Sequence, residues 1–465
     1  MRDVLARVTI DVLPDVVLLE IFDPYVDEAR IEAWHRLVHV CRKWRIVTFG
    51  SPRRLNLRLH CKASTPVRKT LDVWPLLPIV IRVYGQETWG GDNIVAAIER
   101  NDRICELDLF DIPSSRLEKV LAAMQQPFST LTRLQLQPRG EAAPVVPTSF
   151  LGGSAPCLQT LFLNRIQVPF PELTKLLLSA TRLVDLYLFR ISYSGYISPE
   201  ALVTCLAVLT KLETFHIGFE SPRCHPDRTS RRPPLPTRTL LPVLTKLWFK
   251  GVGNYVEDLV AQIVAPLLDK FSITFFHQLI YDTPQLTQFI GRTPKLKARD
   301  EARVVFHDWN VSVTFPQIAD GVLELEISCR RSDWQLSSLA EVCSFSFPQA
   351  LTFAVEHLYI QSGTWQLHWQ DDIENSQWLE IFQPFTAVKN LYISSVFTRC
   401  VVHALRELVG ERVAEVLPAL QTLFLEETLL FKLRPVQETI GQFLAARQLS
   451  GHPVTVSRWV RMFED

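Results

Sequence analysis

The sequence predicts an α/β chain in which a short all-helical module precedes a long, irregular series of strand–turn–helix units, with parallel strands on a concave face and helices on a convex one. Three observations predict it. A triplet with apolar residues at its first and third positions recurs through the 465 residues, most often at intervals of roughly 24 to 33 residues. Between the triplets, apolar residues fall at helical spacing wherever a pattern is readable. The stretch before Arg54 carries two amphipathic helical patterns and no strand.

In the first stretch, Leu13-Pro14 opens a helix whose apolar stripe is Leu18, Ile21, Phe22 and Tyr25. Proline suits the first helical turn, where its missing N–H costs no hydrogen bond. A second stripe runs through Ile31, Trp34, Leu37, Val38, Cys41 and Trp44. Helices this short bury little by themselves and dock on something larger. The set Leu13-Pro14, Leu18-Leu19-x-Ile21-Phe22 and Val40-Cys41-x-x-Trp44 resembles the F-box, the helical module that holds substrate receptors onto the Skp-type adaptor of cullin ubiquitin ligases. It covers about a tenth of the chain, and the Asp23–Ala33 link is longer and more acidic than the F-box pattern. The resemblance implies an adaptor contact through Leu13, Pro14, Leu18, Ile21, Phe22, Val40, Cys41 and Trp44, and through the adaptor a cullin.

Arg54 to Leu59 alternates with period two and reads as a first strand. Ile79–Val83 comes next, and the triplets follow at Leu107, Leu134, Leu161, Leu186, Phe215, Leu247, Phe271, Leu325, Leu358, Leu391 and Leu423, usually with a further apolar residue three positions upstream, from Ile104 and Leu131 to Leu420. Intervening helices are marked by Leu117, Val120, Leu121 and Met124, by Ser198-Pro199 before Leu202, Cys205 and Leu206, by Leu259, Ile263 and Leu267, and by Thr283-Pro284 before Leu286, Phe289 and Ile290. These units resemble long leucine-rich repeats, which implies a solenoid. Where that pattern wants Asn or Cys in the turn, this chain has Ile112, Ile166, Ile191, Val252 and Val396, so the expectation is a turn held by apolar packing. The weakest region is Gln278 to Gly321, where Arg303–Phe306 reads as a rung without the signature. Glu220 to Thr239, rich in Pro and Arg, reads as an exposed, mobile insertion. Pro435 starts a helix through Ile440 and Phe443 that caps the last rung. The expected organisation is a helical module at 1–52, repeats at 53–434 with the insertion at 220–239, and a cap at 435–465. An F-box joined to such repeats, with this ending, also resembles the expanded fungal F-box family.

Lys+Arg 49 balances Asp+Glu 49, so no charge excess points to nucleic acid. The N-terminus lacks a secretory signal and no apolar run is long enough for a bilayer, so the expectation is a cytoplasmic or nuclear protein without a membrane partner. Cys 9 is an odd count with no C-x-x-C pair, which fits core thiols better than a disulfide or zinc framework. His35 and His39 have zinc-ligand spacing, but Arg36 stands where the metalloprotease glutamate belongs. Pro233–Arg238 fits a polyproline ligand pattern that any Pro-rich loop produces by chance. No phosphate-binding or nucleophile motif is present, and the expectation is neither enzyme, nor metal, nor cofactor.

The middle residue of each triplet points away from the strand–helix core. Read rung by rung, it is Phe162, Tyr187, His216 and Trp248 in one block and Tyr359, Tyr392 and Phe424 in another; Asp108, Gln135 and Glu326 occupy the same position elsewhere. Such rings either stiffen the sheet by stacking or form a recognition surface for a protein target. The expected function is a substrate receptor of a Skp/cullin/F-box ubiquitin ligase; the alternative is a binding scaffold whose F-box-like helices only cap the repeats.

Overall fold

A computed structural model describes residues 12–28, 34–52, 54–61, 67–73, 76–85, 91–224, 238–278, 280–297, 300–316, 321–364, 374–408, 412–413, 415–426 and 434–460. Most of the expected insertion, 225–237, lies outside them, as does Pro233–Thr237 of the polyproline pattern. The backbone forms two compact units, Met1–Leu186 and Tyr187–Asp465.

The first unit opens with helices α1 (Asp15–Glu28), α2 (Trp34–Val38) and α3 (Arg42–Gly50). Their buried residues Leu18, Leu19, Phe22, Trp34, Leu37, Val38 and Val47 share one core with Leu55, Leu57 and Leu77 from the chain that follows. The expected strand from Arg54 is therefore displaced. Asn56 adopts a left-handed φ of 51°, and the Leu55 and Leu57 N–H groups turn back to the Ser51 and Pro52 carbonyls, so this segment folds into a turn and gives its leucines to the helices.

Strands β1 (Leu59–Cys61), β2 (Ile79–Tyr84), β3 (Ile104–Pro113), β4 (Arg133–Arg139) and β5 (Thr160–Asn164) then pair in parallel in chain order. Helices α4 (Val67–Val73), α5 (Gly91–Ile98), α6 (Ser114–Ala123) and α7 (Phe170–Ser179) lie between or after them in the chain. The register sets Ile81, Leu107, Leu134 and Leu161 side by side, each 0 % exposed. One apolar position per strand in the same register is what turns a sequence repeat into a continuous core.

The second unit holds β6 (Asp185–Ile191, which starts at its boundary), α8 (Pro199–Leu206), β7 (Thr214–Phe219), β8 (Thr239–Leu240), β9 (Lys246–Gly251), α9 (Gly253–Ala261), β10 (Ile263–Val264), β11 (Lys270–Phe276), α10 (Pro284–Arg292), β12 (Glu301–Phe306), β13 (Asn310–Pro316) and β14 (Val322–Ser328). It continues through α11 (Ser332–Phe345), α12 (Gln349–Thr352), β15 (His357–Ser362), α13 (Asn375–Phe382), β16 (Asn390–Ile393), α14 (Ser395–Arg406), β17 (Thr422–Glu426), α15 (Arg434–Leu449) and β18 (Thr455–Trp459). The Ser198 hydroxyl caps α8 by accepting from the Ala201 N–H at 3.3 Å, as its place before Pro199 implies. By contrast α9 ends at Ala261: Ile263 sits in β10, paired with β8, and Leu267 is exposed.

The all-parallel expectation fails between β11 and β15. Their order in the sheet is β11-β14-β13-β12-β15, and β13 runs antiparallel to both β12 and β14. The links on either side of β13 are a few residues long, and a parallel return needs a crossover of a dozen or more. Arg303–Phe306 is a rung, pairing in parallel with β15, but it reaches its place through this reversed hairpin. The end of the chain also differs from a simple helical cap: Val436, Ile440 and Phe443 of α15 are buried, and β18 follows as one more strand parallel to β17.

The turns are held by more than apolar packing. Ile112 and Ile191 are buried, but Ile166, Val252 and Val396 are only half-buried. In the second unit the start of a helix is capped by a side chain from a neighbouring element. Glu257 of α9 accepts from the Gln285 and Leu286 N–H groups at the start of α10, at 3.0 and 2.7 Å; Gln278 accepts from Gly253 N–H at the start of α9, at 3.1 Å; Glu426 accepts from the Ser394 hydroxyl and Ser395 N–H at the start of α14, both at 2.8 Å. A helix start exposes unpaired N–H groups and a partial positive charge, so a side-chain oxygen from a neighbouring repeat ties the two repeats together. Among the described residues no helix is long and apolar enough to cross a membrane.

Candidate functional site

Two surfaces gather the residues singled out in the sequence. On the N-terminal helices the eight expected adaptor-binding residues divide. Leu18 and Phe22 are 0 % exposed and belong to the module's own core. Trp44 packs on Phe22 with ring centroids 4.6 Å apart, and Cys41 is the N-cap of α3, its sulfur accepting from Trp44 N–H at 3.5 Å. The Val-Cys-x-x-Trp spacing thus has an internal reason: the thiol caps the helix and the indole three residues on closes it against α1. Leu13 is half-buried against the same core, with its carbonyl accepting from Lys43 Nζ at 2.6 Å.

Pro14, Ile21 and Val40 face outward. Sequence reasoning missed the company they keep. Val16 (62 %), Val17 (41 %), Ile21 (49 %) and Tyr25 (37 %) are all exposed on α1, with Val40 (55 %) beyond α2 and Ile46 (61 %) on α3. Val17, Ile21 and Tyr25 recur every four residues, so they lie one above another on a single helix face. The helix has two apolar stripes; the missed signal was the second, Val17-x-x-x-Ile21-x-x-x-Tyr25, beside the Leu18–Phe22 stripe that forms the core. His39 is exposed, and the His35 ring lies tilted against Trp34 with centroids 4.1 Å apart; among the described residues no cluster of three or more His, Cys, Asp or Glu side chains is arranged to hold a metal ion.

The second surface is the sheet face turned away from the buried leucines. In the first unit it is ionic. Arg58 and Arg82 both pair with Glu106, Arg82 at 2.6 Å; Arg82 and Arg133 reach Asp108 at 3.5 and 3.2 Å. Asp108 is consequently 1 % exposed, so its position is not open to solvent as the triplet pattern implies: guanidinium groups from the strands on both sides cover it. Burial pushes its carboxyl above the usual aspartate range although Arg133 and Arg82 oppose the shift. Beyond this ladder Tyr84 stacks on Phe110 at 5.4 Å and Phe110 meets Phe162 at 5.7 Å.

In the second unit the expected rings form two clusters of different character. Tyr187, His216 and Trp248 gather around Phe189, a residue the triplet reading passes over because it lies one place beyond the pattern. Tyr187 lies 4.8 Å from His216, and Phe189 meets Trp248 edge-on at 5.3 Å. All four rings are half-buried; Tyr187–Phe189 and His216–Trp248 are stacked pairs, and the remaining contacts are tilted or edge-on. The other cluster is a closed stack. Tyr359, Tyr392 and Phe424 are register partners and lie nearly parallel at 4.2 and 4.3 Å. Trp459 of β18 stands edge-on to both tyrosines, and the Arg303 guanidinium sits 5.7 Å from the Tyr359 ring. Burial, then the neighbouring Tyr392, pushes the Tyr359 phenol well above the usual tyrosine range, so it stays a neutral hydroxyl. Both faces of Tyr392 are occupied, which gives this stack the stiffening role.

Taken together, these features define an α/β repeat protein built on mainly parallel strands and intervening helices. No protein-family model matches the chain, and no curated protein matches it. Among solved structures it is similar to the leucine-rich repeat-containing protein LegL7 from Legionella pneumophila, at 12 % identity over 76 % of this chain and 94 % of that one, with a TM-score of 0.27.

Proposed function

We propose that the chain is the target-holding subunit of a Skp/cullin/F-box ubiquitin ligase, docking on the adaptor through α1 to α3 and on a protein target through the sheet face around Phe189 and Trp248. The observation that carries this reading is the exposed stripe Val17, Ile21 and Tyr25 on a module whose opposite stripe is packed. A contiguous apolar stripe left outside a well-made core marks an interaction surface. The role is positional: the chain breaks no bond and raises the effective concentration of a target lysine near an enzyme carried elsewhere in the assembly.

One observation favours the second reading, a scaffold without a ligase. The helical core runs on into Leu55, Leu57 and Leu77, so the module also closes the end of the first strands. Co-purification separates the two. The full chain should retain a Skp-type adaptor and a cullin, and Val17→Asp with Ile21→Asp should release both; a chain that retains neither leaves the scaffold.

A further inference from the structure

A groove in the first unit runs along the strand starts and shares Arg58 with the ionic ladder. It has a volume of about 550 Å³ and follows the residues that lead into successive strands. Leu57 and Arg58 precede β1, Pro78 precedes β2, Arg103 precedes β3, Thr130 precedes β4, Gln159 precedes β5 and Arg182 precedes β6. Adjacent strands are about 4.8 Å apart, so six strand starts make a trough roughly 24 Å long. A volume of this size drawn out over that length is narrow. It matches an extended chain of about seven residues at ~3.3 Å each, rather than a compact ligand.

The charge of the lining selects the chain's character. Arg58, Arg103 and Arg182 stand against one carboxylate, Asp102. Arg103 is fixed in place, its Nε and Nη2 both donating to the Leu77 carbonyl at 3.1 Å, and burial weakens the hold on its proton. Arg58 shares Glu106 with Arg82. Arg182 is exposed, and its guanidinium approaches the Cys157 sulfur at 4.0 Å; among the described residues it meets no carboxylate. Thr130 and Thr132 spend their hydroxyls on the backbone, donating to the Ile104 and Cys105 carbonyls at 2.8 and 2.9 Å, so the floor is built before any ligand arrives. The apolar part of the lining that solvent reaches is Leu76, 79 % exposed, and the half-buried Pro78.

We infer that this trough binds an extended peptide segment carrying carboxylate side chains, a contact for a target in addition to the open sheet face. The target's role rests on the function proposed above; binding by the trough itself does not. The test pans the full chain against a displayed library of randomised heptapeptides and titrates the enriched peptides on variants. Enriched peptides should be rich in Asp and Glu, should weaken with added salt, and should lose tenfold or more in affinity with Arg182→Glu, an exposed change whose fold is checked by circular dichroism. No enrichment, enrichment of peptides without acidic residues, or acidic peptides that bind Arg182→Glu unchanged would each overturn the inference. So would a tenfold loss with Trp248→Ala, which would assign the peptides to the open sheet face. Acidic binding that survives while the adaptor fails to co-purify sinks the ligase reading and keeps the trough.

Discussion

Trp248 lies in the space that Gly218 leaves open on the neighbouring strand: a β-carbon placed on Gly218 would stand 2.8 Å from Trp248 Cζ3 and 3.1 Å from Cη2. The absent side chain lets the indole lie against β7 while its other contacts go to Phe189 and His216. Trp248 therefore has a structural share as well as an outward one. Trp248→Ala should cost about 1 to 2 kcal/mol, the scale of one or two aromatic contacts, whereas Leu247→Ala, which empties a core position 2 % exposed, should cost about 2 to 5 kcal/mol. Gly218→Ala should cost about 1 kcal/mol, because the far end of the indole tilts away, and should weaken target binding by moving Trp248. Thermal melts of the three variants establish the order. If Trp248→Ala equals Leu247→Ala, the cluster is architecture.

The division of α1 into two stripes makes a sharper test of the adaptor contact than the sequence motif does. Phe22→Ala removes a fully buried ring packed on Trp44 and should cost about 3 to 5 kcal/mol, disordering the module. Ile21→Asp changes an exposed side chain and should leave the melting curve within about 0.5 kcal/mol of the parent. Only the second variant is informative about a partner. If Ile21→Asp keeps its fold and its adaptor, the exposed stripe serves something else.

What the sequence revealed and what it hid follow from the range of each interaction. The buried leucines at Leu107, Leu134 and Leu161 were legible because burial repeats with the chain's own period. Leu18 and Ile21 were both legible as apolar, but one points into the core and the other out of it. Only the packing of α3 against α1 decides which. Glu257, Gln278 and Glu426 were invisible as caps, since their partners at Leu286, Gly253 and Ser395 lie 25 to 31 residues away. Asp108 read as solvent-facing because nothing local shows that Arg82 and Arg133 close over it. The reversal at β13 was within reach, because the short link His307-Asp308-Trp309 leaves no room for a crossover helix.

The caps that join neighbouring elements carry their own prediction. Glu257 is 3 % exposed, and Glu257→Ala leaves the Gln285 and Leu286 N–H groups without their acceptor. The expected loss is about 2 to 3 kcal/mol, the cost of stranding buried donors. Glu426→Ala, at a half-buried site where water can replace the carboxylate, should cost about 1 kcal/mol. Urea denaturation measures both, and equal small losses would mean that the helix starts find other acceptors.

Glu326 gives the protein a predictable dependence on pH. Burial, then the like charge of Glu324, pushes its carboxyl above the usual glutamate value of 4.5, while Lys250, Asn310 and Thr274 pull the other way. Asn310 Nδ2 donates to it at 3.0 Å, and Ser272 donates to Glu324 at 2.9 Å. Because the folded-state pKa is raised, folding favours the protonated form. The contribution of this group to stability is complete below the unfolded value and is lost as the pH climbs through the folded one. Above the unfolded value the group weighs against the fold, because its surroundings disfavour the charge. Glu326→Gln keeps an oxygen for Asn310 and removes the charge. The variant should melt with the parent at about pH 4 and above it at about pH 8, the gap opening over the interval between the two pKa values. A variant that melts lower than the parent at pH 8 would mean that attraction to Lys250 outweighs the repulsion from Glu324.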